Sequence, residues 1–271
     1  MSEGRCGMDV LVCVKRVPAF GAKVPLQDDG TVDTRHLGFT LGPHEECAVE
    51  EAVRLVSAHG GTATVLAVGP PETEEQVRYA LAMGADRGVL VDTGRDDTDP
   101  QATAEAIVRA VADLADGAGV PDGDAPRVPF DLLLFGQSSA DAGHGQVGIR
   151  VARALGLPAV GGIKGVEVPD GAGTVRLRRP VDDGVEVCEA PLPAAVAVKE
   201  GLNLPRYPTM PGRLRARKAT LHTVPVDPAP GGLRTLGLRQ PAEDGAETVV
   251  LGQGADAAPA VVDVFERIGV V

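Results

Sequence analysis

The chain has 271 residues, and its 38 acidic side chains outnumber 26 basic ones for a formal net charge of −12. That length suits one large α/β domain with appendages and is enough to bury about three quarters of the unfolded surface. The charge has the wrong sign for a general nucleic-acid clamp. The apolar runs, such as DLLLF at 131–135, are far too short to span a bilayer, and the start MSEGRCGMDV carries no apolar signal core. A cytoplasmic chain without membrane insertion is therefore expected.

In chain order, DVLVCVK (9–15) reads as a buried strand, and residues 18–41 as a loop or hairpin rich in Gly, Asp and Thr. A helix starts at Pro43, with Glu45 and Glu46 at its positive dipole end and Gly60 able to stop it. TATVLAV (62–68) gives a second strand, 72–83 a second helix, RGVLVD (87–92) a third strand and 99–115 a third helix. A fourth strand at 131–135 runs into the glycine-bearing loop GQSSADAGHG and a helix over 146–155. Strands alternating with helices imply a doubly wound, mostly parallel sheet of the adenine-nucleotide-binding type.

After residue 160 the rhythm changes. Residues 162–168, 174–179 and 185–188 read as short strands, the first two as a hairpin, and 194–198 as another buried strand. In 202–218, Pro205, Pro208 and Pro211 recur every third residue, which predicts an ordered loop without helix or sheet. Residues 225–258 form a Pro/Gly/Asp-rich linker, and APAVVDVFERI (258–268) an amphipathic terminal helix.

Three segments could carry chemistry. The strand, loop and helix at 131–155 form a phosphate cradle: backbone N–H groups and a helix dipole aimed at one point, with Gly136, Ser139, Asp141, His144, Gly145, Gln146 and Val147 as candidates. It lacks both a Walker end and GxGxxG, so it suits holding a nucleotide and not cleaving it; a plain βα loop explains the same residues. The helix start Gly42, Pro43, His44 and Glu45, with Cys13 and Val68 at the ends of the first two strands, could face the same pocket. Cys13 is equally explained as a small buried apolar residue. The third segment, 202–218, holds Arg206, Arg213, Arg215, Arg217 and Lys218 and no acid. It is either a solvated face or a docking surface for an acidic partner, with Tyr207 and Met210 as anchors. The four cysteines (Cys6, Cys13, Cys47, Cys188) and five histidines have no metal-site spacing, and no catalytic constellation emerges.

VCVKRVP (12–18), CAVEEAVRL (47–55), ALAMGADRGVLV (80–91), DLLLFGQSSADAGHGQVG (131–148), LPAAVAV (192–198) and NLPRYPTMPGRLRARK (203–218) together resemble the β subunit of electron transfer flavoprotein. They come in that family's order and cover most of residues 9–220. The resemblance implies a heterodimer with an α subunit that holds most of an FAD, the β subunit completing the flavin environment and binding a structural AMP. The pair would take electrons from flavoprotein dehydrogenases and pass them to a quinone oxidoreductase or another acceptor, with no catalysis by this chain itself.

The resemblance also makes the loop around PRYPxxPG the dehydrogenase recognition loop, with Met210 as apolar anchor beside Arg206, Tyr207, Pro211, Arg213 and Arg215. It sets Phe20 over the flavin. The family's nucleotide loop keeps Gly136, Asp141, Gln146, Val147 and Gly148 here, while Ala142, Gly143 and His144 replace its Gly-Asp-Thr. His144 could take over the lost hydroxyl's role, with a charge that depends on pH. Some members hold a second FAD in place of AMP, and that alternative stays open. The implied layout is a nucleotide-binding domain at 9–224, with the recognition loop at 198–220, and an arm at 225–271 contacting the α subunit. A stress-type or nucleotide-using α/β protein without a redox partner is the competing reading.

Overall fold

All five residues of the first strand are buried, because it runs through the middle of a sheet covered on both faces. The computed structural model describes residues 7–19, 21, 24–95, 98–116, 128–169, 171, 173–229, 231–240 and 248–271. In chain order its elements are β1 (Val10–Val14), β2 (Arg16–Pro18), β3 (Phe39–Leu41), α1 (Pro43–His59), β4 (Ala63–Gly69), α2 (Glu74–Met83) and β5 (Arg87–Asp92). Then follow α3 (Pro100–Asp116), β6 (Leu132–Gly136), α4 (Val147–Leu155), β7 (Ala159–Ile163), β8 (Gly165–Glu167), β9 (Thr174–Val181) and β10 (Gly184–Pro191). The chain closes with β11 (Ala194–Val198), α5 (Met210–Lys218), β12 (His222–Pro225) and α6 (Ala258–Ile268).

The main sheet has seven strands in the order β12-β5-β4-β1-β6-β11-β7, and every neighbouring pair is parallel. Alternation along β1 divides the core. Val10, Val12 and Val14 pack with Val49 and Ala52 of α1 and Val77 and Leu81 of α2. Leu11 and Cys13 point the other way, to Ile107 and Val111 of α3 and Val151 and Leu155 of α4. The fold is thus the expected doubly wound α/β sheet. β8, β9 and β10 form a separate antiparallel sheet, containing the expected hairpin.

The expected strand at 162–168 is in fact two strands. β7 begins at Ala159 and belongs to the main sheet beside β11, and only β8 joins the hairpin. β12 was not expected; it pairs with β5 and closes the other edge. The larger correction lies at 202–218. Its second half is helix α5, because Pro211 stands in the first turn, where no intrahelical N–H is required, and Thr209 caps the end by accepting from the Gly212 N–H at 3.1 Å. Arg215, Arg217 and Lys218 then fall in the last turn, where the helix dipole favours cations.

From β1 the chain winds to β4 and β5 on one side, then crosses back to place β6 on the other. The strand order reverses between β1 and β6, and their carboxyl ends part there to leave a crevice.

Candidate functional site

A cavity of about 350 Å³ opens at that crevice. Cys13, Glu45, Val68, Gly136, Ser139, Asp141, His144, Gly145, Gln146 and Val147 line it, so the segments read as a phosphate cradle and as strand ends converge. Gly42, Pro43 and His44 are not among the lining residues; of that helix start only Glu45 reaches the cavity. Phe20 lies outside the described residues. The Cys13 thiol is buried on the α3/α4 side, and burial pushes its pKa up, away from thiolate chemistry.

The β6–α4 loop is shaped as a backbone cradle. Gly143 and Gly145 adopt φ values of +64° and +61°, and a Cβ on Gly145 would come within 3.3 Å of the Gln137 carbonyl oxygen. Only glycine holds this shape without strain, and at Gly145 it brings the loop back against Gln137, just past β6. Gln137 fixes the neighbouring strand: its Oε1 accepts from the Gly162 N–H at 2.5 Å. Lys15, just past β1, donates to both oxygens of Asp141 at 2.7 Å. Burial works to raise the Asp141 pKa, but this ammonium and a bond from the Ala142 N–H outweigh it and leave the carboxyl below its ordinary value. Sequence reasoning missed Lys15 and Gln137. Lys15 was visible as the cation just past β1, but its partner is 126 residues away.

Glu45 is the unusual group. It is 4% exposed, and its Oε2 is buried without a hydrogen-bond partner among the described residues. The carboxyl folds into the gap between the start of α1 and the end of β6, where a side chain on Gly42 or Gly136 would collide with it. Burial raises its pKa to about 7, only partly opposed by its own backbone N–H and by Lys15. A nucleotide fits these residues: the volume is at the low end for small-molecule sites, the walls are largely apolar, and the glycine cradle and α4 N-terminus offer donors at one end.

The segment 202–218 is built in the opposite way, since its Asn203, Arg206, Thr209 and Arg215 are used internally. Arg206 donates to Glu50 of α1, and Arg215 donates to the Leu81 carbonyl at the end of α2 at 3.3 Å. Arg78 of α2 returns the favour at the end of α5, donating to the Ala216 and Ala219 carbonyls. Gly212 lies against the Ala82 carbonyl, where a Cβ would come within 2.6 Å. The stretches ALAMGADR and PRYPTMPG therefore meet face to face. Outward go Tyr207, 89% exposed, and Met210, 70% exposed, with Leu204 and Leu214 beside them and Arg213 also exposed.

Beyond β12 the chain returns to Asp99, which lies between the cavity-lining Thr98 and Pro100. Asp99 caps α3 by accepting from the Ala102 N–H, and its other oxygen accepts from the Leu233 N–H at 2.8 Å. Leu238 donates to the Gly30 carbonyl. Farther on, no residue of α6 is buried, and Val262, Phe265 and Ile268 face outward.

Residues 29–229 match the electron transfer flavoprotein domain family. The chain is 37% identical over 232 residues to the electron transfer flavoprotein subunit beta of Syntrophomonas wolfei, covering 84% of each chain. It is 33% identical over 228 residues to the subunit of the same name from Bacillus subtilis, covering 81% of this chain and 80% of that one. The Mycobacterium tuberculosis protein, also named electron transfer flavoprotein subunit beta, is 33% identical over 241 residues, covering 84% and 85%.

Proposed function

Because the chain belongs to the electron transfer flavoprotein family as a β subunit, we propose that it works in a heterodimer that accepts electrons from flavoprotein dehydrogenases and delivers them to a quinone oxidoreductase or another acceptor. Its cavity holds one AMP as a structural ligand, and its partner, the α subunit, carries most of the redox FAD. FAD supplies the electron chemistry when bound. This chain's own residues bind, orient and dock: the glycine cradle and α4 N-terminus take the phosphate, and the loop with Tyr207 and Met210 receives the dehydrogenase. The domain at 9–224 carries both sites, and the arm at 225–271 grips the α subunit.

The observation that carries this reading is α6. An apolar-faced helix with no buried residue has no core of its own, and a second chain explains its Val262, Phe265 and Ile268. No helix among the described residues is long and apolar enough to cross a membrane, so a bilayer-spanning role does not account for that face. A second FAD in place of AMP is the alternative, and the identity of the released nucleotide separates the two.

The test is co-purification with the α subunit encoded by the same organism, followed by denaturation and identification of released nucleotides by mass and absorbance. One FAD and one AMP per heterodimer is the expected result. Two FAD would make the complex the two-flavin type. No released adenine nucleotide, or no complex, would contradict the proposal.

A further inference from the structure

Glu50 and Glu51, adjacent on α1, are 3% and 8% exposed. A helix buries carboxylates at a cost unless partners compensate them. Here the compensation comes from the segment at 203–206, more than 150 residues away in the chain. Glu50 Oε2 accepts from the Arg206 backbone N–H at 3.1 Å and from Arg206 Nε at 2.7 Å, while Oε1 accepts from Arg206 Nη2 at 3.0 Å and from Arg54 Nε at 2.7 Å. Glu51 accepts from Asn203 Nδ2 at 2.9 Å, and the same amide donates to the Cys47 carbonyl at 3.0 Å. Burial works to raise the Glu50 carboxyl, and the two arginines hold it below its ordinary value. Glu51, with one amide partner, is left above its ordinary value by burial.

The segment is therefore pinned at two points, Asn203 and Arg206, and the next residue is the exposed Tyr207. Resting on the reading of this loop as the dehydrogenase dock, we propose that Glu50 is a positioning residue for electron delivery. By binding Arg206 through its guanidinium and its backbone N–H together, Glu50 sets the direction in which Tyr207 and Met210 leave the surface. The guanidinium held this way is committed internally and does not serve as a free charge for an acidic partner. Three hydrogen bonds from Arg206 to one buried carboxylate, itself steadied by Arg54 of the same helix, make the link stiff, so the ordering cost of docking is met before the partner arrives.

The test uses the intact heterodimer as substrate for its flavoprotein dehydrogenase, with initial rates measured against heterodimer concentration. Glu50→Gln removes the charge that holds Arg206. It is expected to raise KM about tenfold while kcat and the flavin absorbance spectrum stay unchanged, because docking and not chemistry is impaired. A residue that merely stabilises the fold would lower yield or melting temperature without this selective rise. Should Glu50→Gln fail to fold, Arg206→Gln, at a half-exposed side chain, cuts the same link and is held to the same rise in KM.

Met210→Ala serves as the anchor control, and the double variant Glu50→Gln/Met210→Ala should raise KM no further than the larger single change, since a misdirected anchor contributes little. A raised KM in Met210→Ala beside an unchanged KM in Glu50→Gln, or in its substitute, overturns the positioning role and leaves the dock standing. An unchanged KM in Met210→Ala overturns the dock itself, whatever Glu50→Gln does.

Discussion

The two proposed sites, the cavity and the loop of 202–218, leave opposite things unsatisfied. At the cavity Leu66, Ile107 and Phe135 of the wall are buried and a polar group is left over: Glu45 Oε2 has no partner among the described residues, beside a loop bent at Gly143 and Gly145. At the loop of 202–218 Asn203, Arg206 and Arg215 are held by Glu51, Glu50 and the Leu81 carbonyl, Arg78 holds the end of α5, and the apolar tips Tyr207 and Met210 are left in water. Leftover polar groups in an apolar pocket call for a small ligand that brings its own donors and charge. Leftover apolar tips on a rigid frame call for a protein surface. Helix α1 serves both regions, with Glu45 at its first turn and Glu50 and Glu51 a turn and a half later.

The sharpest way to break the cavity half of this contrast is pH. The folded state raises Glu45 from 4.5 to about 7, so it favours the protonated form. The stabilisation is complete below the unfolded value, about pH 4.5, and is lost as pH rises through about 7. A shift of that size corresponds to about 3 kcal/mol at most. Glu45→Gln mimics the protonated group, and its unfolding free energy should gain on wild type by most of that amount between pH 5 and pH 8. Parallel pH profiles for the two proteins would show that Glu45 is solvated and not a stranded group.

The next effect concerns the cradle. Gly145→Leu places a side chain at a left-handed position, at a cost of about 1–2 kcal/mol, and close to the Gln137 carbonyl. Nucleotide occupancy, measured by release from the purified heterodimer, is expected to fall about tenfold. Full occupancy would move the phosphate elsewhere.

On the loop side, Met210→Ala should slow flavin reduction by the dehydrogenase about tenfold, the loss of an anchor worth about 1.4 kcal/mol. The smallest effect separates two arginines that look alike in sequence. Arg213 is exposed, so Arg213→Glu should slow encounter a fewfold at low salt and hardly at all at high salt. Arg215 caps the end of α2, so Arg215→Glu should slow reduction at both salt concentrations by unseating α5. Identical salt dependence in the two variants would mean that the cap has no role in holding the loop.

Much of this was legible in the sequence, for reasons that differ by segment. RGVLVD at 87–92 and AAVAV at 194–198 are buried strands with unbroken apolar or β-branched runs, and both ends agree with the structure. β7 was misread because AVGGI lies at the sheet's edge, where glycine and partial exposure blur the pattern that buried strands show. α5 was misread because proline spacing was weighed without proline position: Pro205 and Pro208 lie before the helix and Pro211 in its first turn.

The cavity's lining followed from strand ends and a glycine loop, which the doubly wound topology brings together by rule. The ion pair of Lys15 with Asp141 and the clamp of Arg206 on Glu50 did not, because pairs separated by 126 and 156 residues leave no local periodic trace.

One measurement tests most directly the claim that the cavity and the loop do separate jobs: stopped-flow reduction of the heterodimer's flavin by its dehydrogenase, run on Met210→Ala and Gly145→Leu with nucleotide content determined on the same samples. The account predicts that Met210→Ala is reduced about tenfold more slowly with its nucleotide and flavin band intact, and that Gly145→Leu loses nucleotide while each flavin-loaded heterodimer is reduced at the wild-type rate. A lost flavin band or lost nucleotide in Met210→Ala, together with an unaltered rate for the flavin that remains, would contradict it.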